Sequence, residues 1–575
     1  MTKRIFIFVA LVNLLTFTNF TGQTQTLTDA IRLMQSEQFD VAKKAFKSVI
    51  TKEPRNGDAC FYFGQCYLYS YLVDSLSYSL SDVVDSAFYY YKKGTVSDQL
   101  NPLNYTGLGK IELLKKNPAE AKVHFNKAIS LLPSKTNKNS AISNEKQALT
   151  YAKIAEAYAQ VTPPDMKESF AYLQLAQNFV NIDPAIYIIT GDIYLEDGDA
   201  TNAILNYKKA QELAPSSPLA KIKIGNIYVR GRNLKAAIPY FEEAQQIDSN
   251  FAPVYREIGE LYIKSGAYGK AKENFSKFLE LSNKNIAARI KYIYALFLCK
   301  DYNNVLQQVD EVFTTDTSSV ILNRLAGYSC FETGKYPEAK NFMDIFFRKI
   351  DEKRIISSDF AYYARIQGKL GSDSLAIESF NKAITKDTSN YDLLSETANL
   401  LTKQKRSTEA IILYNKKINS GKAGSLDYYY ISKIYYSMFQ TLSANDSYSK
   451  TDTLRKKGID YLNKADTLCG SFLAEQAGSM QGLQMRARIK AALDPEFELG
   501  IAKPFYEKVI EKAQTDSVKY STALVESYDY MGWYYYFTDQ NYLISKMYYN
   551  RILAIDPKNA KAKNALNLPK LKELK

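Results

Sequence analysis

The side chains that most often carry out chemistry are thinly spread along this chain. His124 is its only histidine, so an imidazole triad or a multi-histidine metal site has no material to work with, and a structural or solvated role is expected. Five cysteines, Cys60, Cys66, Cys299, Cys330 and Cys469, are too few for a disulfide scaffold. They read as small buried apolar residues, with one bridge between Cys299 and Cys330 as the alternative. The stretches GNIYVRGR (225–232) and GAYGKAK (266–272) lack the spacing of a phosphate-cradling loop. No pair of carboxylates stands out from solvated helix faces. What remains is aromatic: SYDYMGWYYYF, Ser527 to Phe537, holds seven rings in eleven residues, among them Trp533, the only tryptophan. Rings at that density either stack on a sugar or base, or fill a core. No catalytic residue, cofactor or metal is expected from these residues.

Spacing decides between the two. In PAIYIITGDIYLEDGDATNAILNYKKAQELAPSS (184–217), Tyr187, Thr190, Gly191 and Tyr194 stand at i, i+3, i+4 and i+7, one face of a helix. After the turn EDGDAT, Ala203, Tyr207 and Ala210 line one face of a second helix, which Pro215 stops. The next 34 residues repeat this with Ile224, Gly225, Tyr228, Ala237, Phe241 and Ala244, and the following 34 with Tyr255, Ile258, Gly259, Tyr262, Ala271, Phe275 and Phe278. Small residues (Gly191, Ala203) belong where two helices touch, and large rings (Tyr194, Tyr207) between successive repeats. Asp199, in the turn, reads as a surface residue whose loss is nearly silent.

This pattern resembles the tetratricopeptide repeat, W-x2-L-G-x2-Y, then A-x3-F and a late proline, with the same period. The register extends upstream through Ala42, Phe46, Tyr105, Gly109, Ala121 and Phe125, and downstream through Ala326, Gly327, Ala339, Tyr363, Ala364, Phe380, Ala398 and Tyr414. Residues 286–319 keep the period without the small residues, as Tyr292, Ile293, Leu296 and Val305. The resemblance implies an all-α protein, an α-solenoid coiled as a right-handed superhelix of roughly thirteen helix-turn-helix repeats. Residues 1–22 read as a signal peptide, 23–135 as N-terminal repeats, 136–147 as a polar linker, 148–424 as central repeats, 425–558 as degenerate repeats with insertions, and 559–575 as a Lys-rich capping helix.

The N-terminal MTKRIFIFVALVNLLTFTNFTGQTQ has a basic pair and an apolar core too short to span a bilayer, which predicts cleavage near Gln23 and export. The expected location is the periplasm or the periphery of the outer membrane. Of the net charge of +13, Lys3 and Arg4 supply 2 and residues 558–575 supply 5. The remainder is mildly basic, so peripheral contact with acidic envelope components is expected and nucleic-acid binding is not.

Resemblance to the family implies a non-catalytic scaffold that binds a protein or peptide on its concave face, lined by first-helix residues between the packing positions. Here those are Asp192, Asn226, Arg230, Arg256, Glu260, Lys264, Arg365, Lys369, Asn399 and Lys403. The family's carboxylate clamp is not carried over, because Ile222 and Glu257 stand where it wants Lys and Asn. An asparagine ladder is likewise replaced by Ile189, Lys223, Glu257, Lys291 and Leu325. In the aromatic run, Tyr528, Met531, Gly532 and Tyr535 occupy core positions. Trp533, Tyr536 and Phe537 fall on the concave face, either beneath the C-terminal tail or as an open patch. Tyr429 and Tyr436 are left over in the same way. A glycan-handling module for polysaccharide export is the second reading, since aromatic faces stack on sugars.

Overall fold

In a computed structural model of the chain, the described residues are 26–574 except 74–78, 135–140, 180–182, 315–318, 446 and 450. The signal segment and half of the polar linker lie outside them, and the helix Asn144–Ala159 begins within the rest of that linker. The chain divides into two units, residues 1–349 and 350–575. Unit 1 consists of helix hairpins at 27–52, 57–97, 102–130, 144–177, 184–213, 219–247, 252–281, 286–313 and 320–349. Unit 2 holds hairpins at 357–386, 392–419, 425–475, 480–514 and 521–555, then two short helices, Ala560–Leu566 and Pro569–Lys572. Among the described residues these are fourteen hairpins, where the spacing predicts roughly thirteen repeats. The expected insertions lengthen helices: Ser425–Ser443 and Asp452–Glu475 are the two arms of one long hairpin.

Many of the hairpins share one turn, in which a residue just past the first helix has positive φ. The helix Pro184–Glu196 stops because Gly198 adopts φ +87°, which L side chains resist. Asp199 then starts the helix Ala200–Leu213, its carboxylate accepting the Asn202 N–H at 3.0 Å. It is therefore a helix cap, not the silent surface residue that the sequence suggests. That hydrogen bond and one from the Asn202 side chain hold its carboxyl below the usual range. The same turn position is Glu37, Lys116, Arg232, Lys300 and Lys405 where the sequence has no glycine.

The two helices are locked by a ring seated on a glycine sixteen residues earlier. A Cβ on Gly191 would lie 2.3 Å from Tyr207 Cε1, one on Gly109 2.3 Å from Phe125, and one on Gly259 2.7 Å from Phe275. Tyr207 thus closes its own hairpin and also joins Ala220 and Ile224 of the next in one cluster. In the hairpin 286–313 both are replaced, by the fully buried Ile293 and Val309, whereas Ala364 and Ala398 stand in for the glycine opposite Phe380 and Tyr414. The first helices are buried on several sides. Ile186, Ile189 and Ile193 are as enclosed as the predicted stripe, and Tyr187 and Tyr194 are only half-buried.

Gly191→Leu forces a branched side chain into the Tyr207 ring and is expected to cost about 1 to 3 kcal/mol, felt also in the neighbouring hairpins. Asp199→Ala is expected to destabilise measurably but less. Circular dichroism melts of the two variants check the order.

Candidate functional site

The residues that follow the small contact residues fall in one column along the first helices. These are Lys110, Glu156, Asp192, Asn226, Glu260, Arg365 and Asn399. Along this column, charges pair with a residue 31 positions on, in the next hairpin. Lys223 Nζ donates to Asp192 at 2.8 Å, Lys291 Nζ to Glu260 at 2.8 Å, and Arg365 grips Glu396 at 2.6 and 2.7 Å with the signs reversed. Lys223 and Lys291 occupy the positions that would carry an asparagine ladder. The ring beneath also contributes: Tyr207 Oη donates to Asp192 at 2.6 Å and Tyr414 Oη to Asn399 at 2.8 Å. Such half-exposed pairs contribute up to about 1 kcal/mol each, so they set side-chain directions more than stability.

In unit 1 the first helices of five successive hairpins converge on a cavity of about 780 Å³. Of the expected groove residues it brings together Asp192, Asn226 and Arg230. Sequence reasoning missed the rest of its polar floor, Lys110, Glu156 and Gln160, and its leucine wall at Leu68, Leu72 and Leu80. Lys110 stands directly after Gly109, as Asp192 does after Gly191, and that offset is the signal that finds it. Glu156 and Lys153 are buried, with Lys153 Nζ donating to Glu156 Oε2 at 2.9 Å. Burial pushes the Glu156 carboxyl up, but Lys110, Lys153 and the hydrogen bond from Lys153 outweigh it and bring it to about 2.

Two other expected groove residues serve a different purpose. Arg256 is mostly buried and donates through Nε and Nη2 to Glu37, at 2.8 and 2.7 Å, across 219 residues. Asn285 Nδ2 adds a bond to the Glu37 carbonyl at 3.2 Å. Glu260 joins this network through Arg256 and Lys291. Arg256 is therefore taken by the first hairpin and is not offered to a partner. Lys264 is exposed.

In unit 2, Lys403 pairs with Asp373 at 2.7 Å, and Lys369 is exposed. Tyr429 is half-buried against Phe472, and Tyr436 against Phe439. Trp533 is half-buried as well, stacked on Phe537 at 5.4 Å and meeting Tyr536 and Tyr549 edge-on. Its ring neighbours come from its own helix and the helix Tyr542–Ile555. The two short C-terminal helices pack on that same Tyr542–Ile555 helix, with Leu571 fully buried. The aromatic run is thus mostly core, with Phe537 half exposed at its edge.

Among the described residues, no group of His, Cys, Asp and Glu is arranged to hold a metal ion, and no helix is long and apolar enough to cross a membrane. His124 lies 3.8 Å from Glu120, one helical turn away. The five cysteines are free thiols. Burial pushes Cys66 up to about 12 and Cys330 and Cys469 to about 11, which keeps them protonated and unreactive.

Two outcomes are expected from these contacts. Because the folded Glu156 carboxyl sits below its ordinary value of 4.5, its contribution is complete above that value and is lost as the pH falls toward about 2. Glu156→Gln should remove that acid dependence and cost about 3 to 5 kcal/mol at pH 7, because two buried ammonium groups lose their carboxylate. Hydrogen exchange of residues 144–159 against pH checks both. Phe537→Ala uncovers one face of the single indole, so Trp533 emission should shift to the red and acrylamide quenching should rise.

The repeat pattern has counterparts among known proteins. Residues 188–250 and 252–285 match two tetratricopeptide repeat profiles. No curated protein matches the chain at a significant level. Among solved structures, the C-terminal part of a TPR repeat-containing protein from Cytophaga hutchinsonii is 26% identical, with 48% of this chain and 100% of that one covered and a TM-score of 0.42. YrrB, described as a TPR protein with an unusual peptide-binding site, is 19% identical over 33% of this chain and 95% of its own, at a TM-score of 0.28. PilW, a type IV pilus biogenesis factor, is 17% identical over 36% and 94%, at 0.32. The profile matches fall on the hairpins between 184 and 281, which are therefore tetratricopeptide repeats.

Proposed function

We propose that this protein is a non-catalytic scaffold that binds a protein or peptide partner on the first-helix face of its repeats, in the cell envelope after export. One observation carries the binding reading. Five successive hairpins of unit 1 supply the walls of one cavity of about 780 Å³, in which a leucine wall stands beside convergent charged groups. Concave sites with a few placed polar groups in an apolar surround are where ligands are held. A repeat stack presents such a surface to an extended segment without moving its core. The protonated buried thiols and the single histidine fit a role without chemistry. The export reading rests on the short apolar core between Ile5 and Leu15 and the polar switch before Gln23. The Lys-rich end at 558–575 suits contact with acidic envelope components. The glycan-handling reading has less behind it, since Phe537 covers one face of Trp533.

A photo-crosslinking residue at Arg230, exposed at the cavity, is expected to capture the same polypeptide reproducibly in cells. The same residue at Ile412, exposed on a second helix of unit 2, is expected not to. Equal capture at both, or none at either, overturns the reading. Intact mass of the purified chain should begin near Gln23, and retention of Met1 overturns export.

A further inference from the structure

A stack of repeats fixes the rotation between neighbouring hairpins well and the distance between far ones poorly, because a small change at each interface adds up along the arc. The cavity in unit 1 depends on that second distance. One of its walls, Leu68, Tyr71 and Leu72, belongs to the second hairpin, and the wall with Asp192, Asn226 and Arg230 belongs to the fifth and sixth. The contact between Glu37 and Arg256 joins the first hairpin to the seventh, which in chain order stand immediately outside those two walls. Neither residue lines the cavity. Glu37 is 6% exposed, so the pair is screened by salt less than a surface pair would be. On its own helix Arg256 also has Glu257 at 2.9 Å and Glu260 at 3.5 Å. The guanidinium therefore stays paired when Glu37 leaves it, and the contact can open without stranding a buried cation.

We propose that the Glu37–Arg256 contact is a clasp that sets the width of the cavity from outside it. This rests on the cavity being the binding site and adds how that site is regulated. Closed, the clasp removes the freedom that would accumulate over the hairpins between, and it holds the two walls at one separation. A ligand that touches both walls favours the closed clasp, and a ligand too broad for the gap has to open it, so occupancy and clasp bias one another. The Asn285 side chain supports the closed form by its bond to the Glu37 carbonyl at 3.2 Å.

The test is the distance between two spin labels on genetically encoded keto residues at Val96 and Lys235 of the full-length protein, read by double electron–electron resonance. Both positions are exposed, on the second helices of the second and sixth hairpins and outside the cavity. The parent is expected to give one narrow distribution. Glu37→Gly removes the carboxylate and suits the turn, where φ is +57°, and it is expected to lengthen the mean distance by several ångströms and broaden the distribution. Asn285→Asp keeps the helix cap on the Ala288 N–H but loses the donor to the Glu37 carbonyl, and it should shift the distance the same way by less. Lys403→Met, which breaks an ion pair in unit 2, should leave it unchanged. If Glu37→Gly loses helix content by circular dichroism, Glu37→Gln decides. A distance that stays the same without the carboxylate, or a parent distribution already as broad as the variant's, overturns the clasp. Because no ligand enters this measurement, that result leaves the scaffold reading to the capture at Arg230.

Discussion

A ring resting on a bare backbone fixes the geometry of this protein. Because Gly191 has no side chain, Tyr207 can lie flat against its helix, and the two arms of the hairpin settle at one distance and one rotation. The same ring packs in one cluster with Ala220 and Ile224 of the next hairpin, so the contact that closes one repeat also seats its neighbour. Its hydroxyl reaches Asp192, which turns a core residue into the support of an inner-face acid. Where Ile293 and Val309 replace glycine and ring, two aliphatic side chains fill the contact and the stack continues.

This contact is why the fold was legible. A motif that must place a small residue and a ring at fixed offsets leaves a period in the sequence, and every hairpin from 184 to 281 could be read from it. The expected packing of Tyr207 between successive repeats is found, and its seat on Gly191 within its own hairpin is added to it, because the spacing of its neighbours fits both. Asp199, by contrast, was misread. An aspartate in a polar turn looks solvated until its carboxylate is seen to accept the Asn202 N–H.

The inner face was legible only in part. A polar residue on the open side of a helix has the same sequence signature whether it meets a partner, water or a distant part of its own chain. Arg256 could not be told from Arg230 without knowing that Glu37, 219 residues earlier, comes to rest beside it. The pairs Asp192–Lys223 and Glu260–Lys291 recur at an offset of 31, shorter than the 34-residue period, because each links a residue to one a helical turn earlier in the next hairpin. Lys223 and Lys291 were visible as residues and opaque as partners. Lys110 stood at the same offset from its glycine as Asp192, in a repeat whose conspicuous feature was its core.

The bond between Glu37 and Arg256 gives unit 1 a property that a linear stack lacks. In an array of repeats each hairpin is held by its neighbours alone, so the terminal one has a single supporting face and frays first. Here the turn of the first hairpin is tied by a two-pronged charged contact to the seventh. Closing a loop of that size costs only a little more than closing a short one, because the entropy grows with the logarithm of length. In folding, the contact has to form late, after the hairpins between have stacked. Once formed, it joins the opening of residues 27–52 to that of residues 252–281, so two segments far apart in sequence come loose together or not at all.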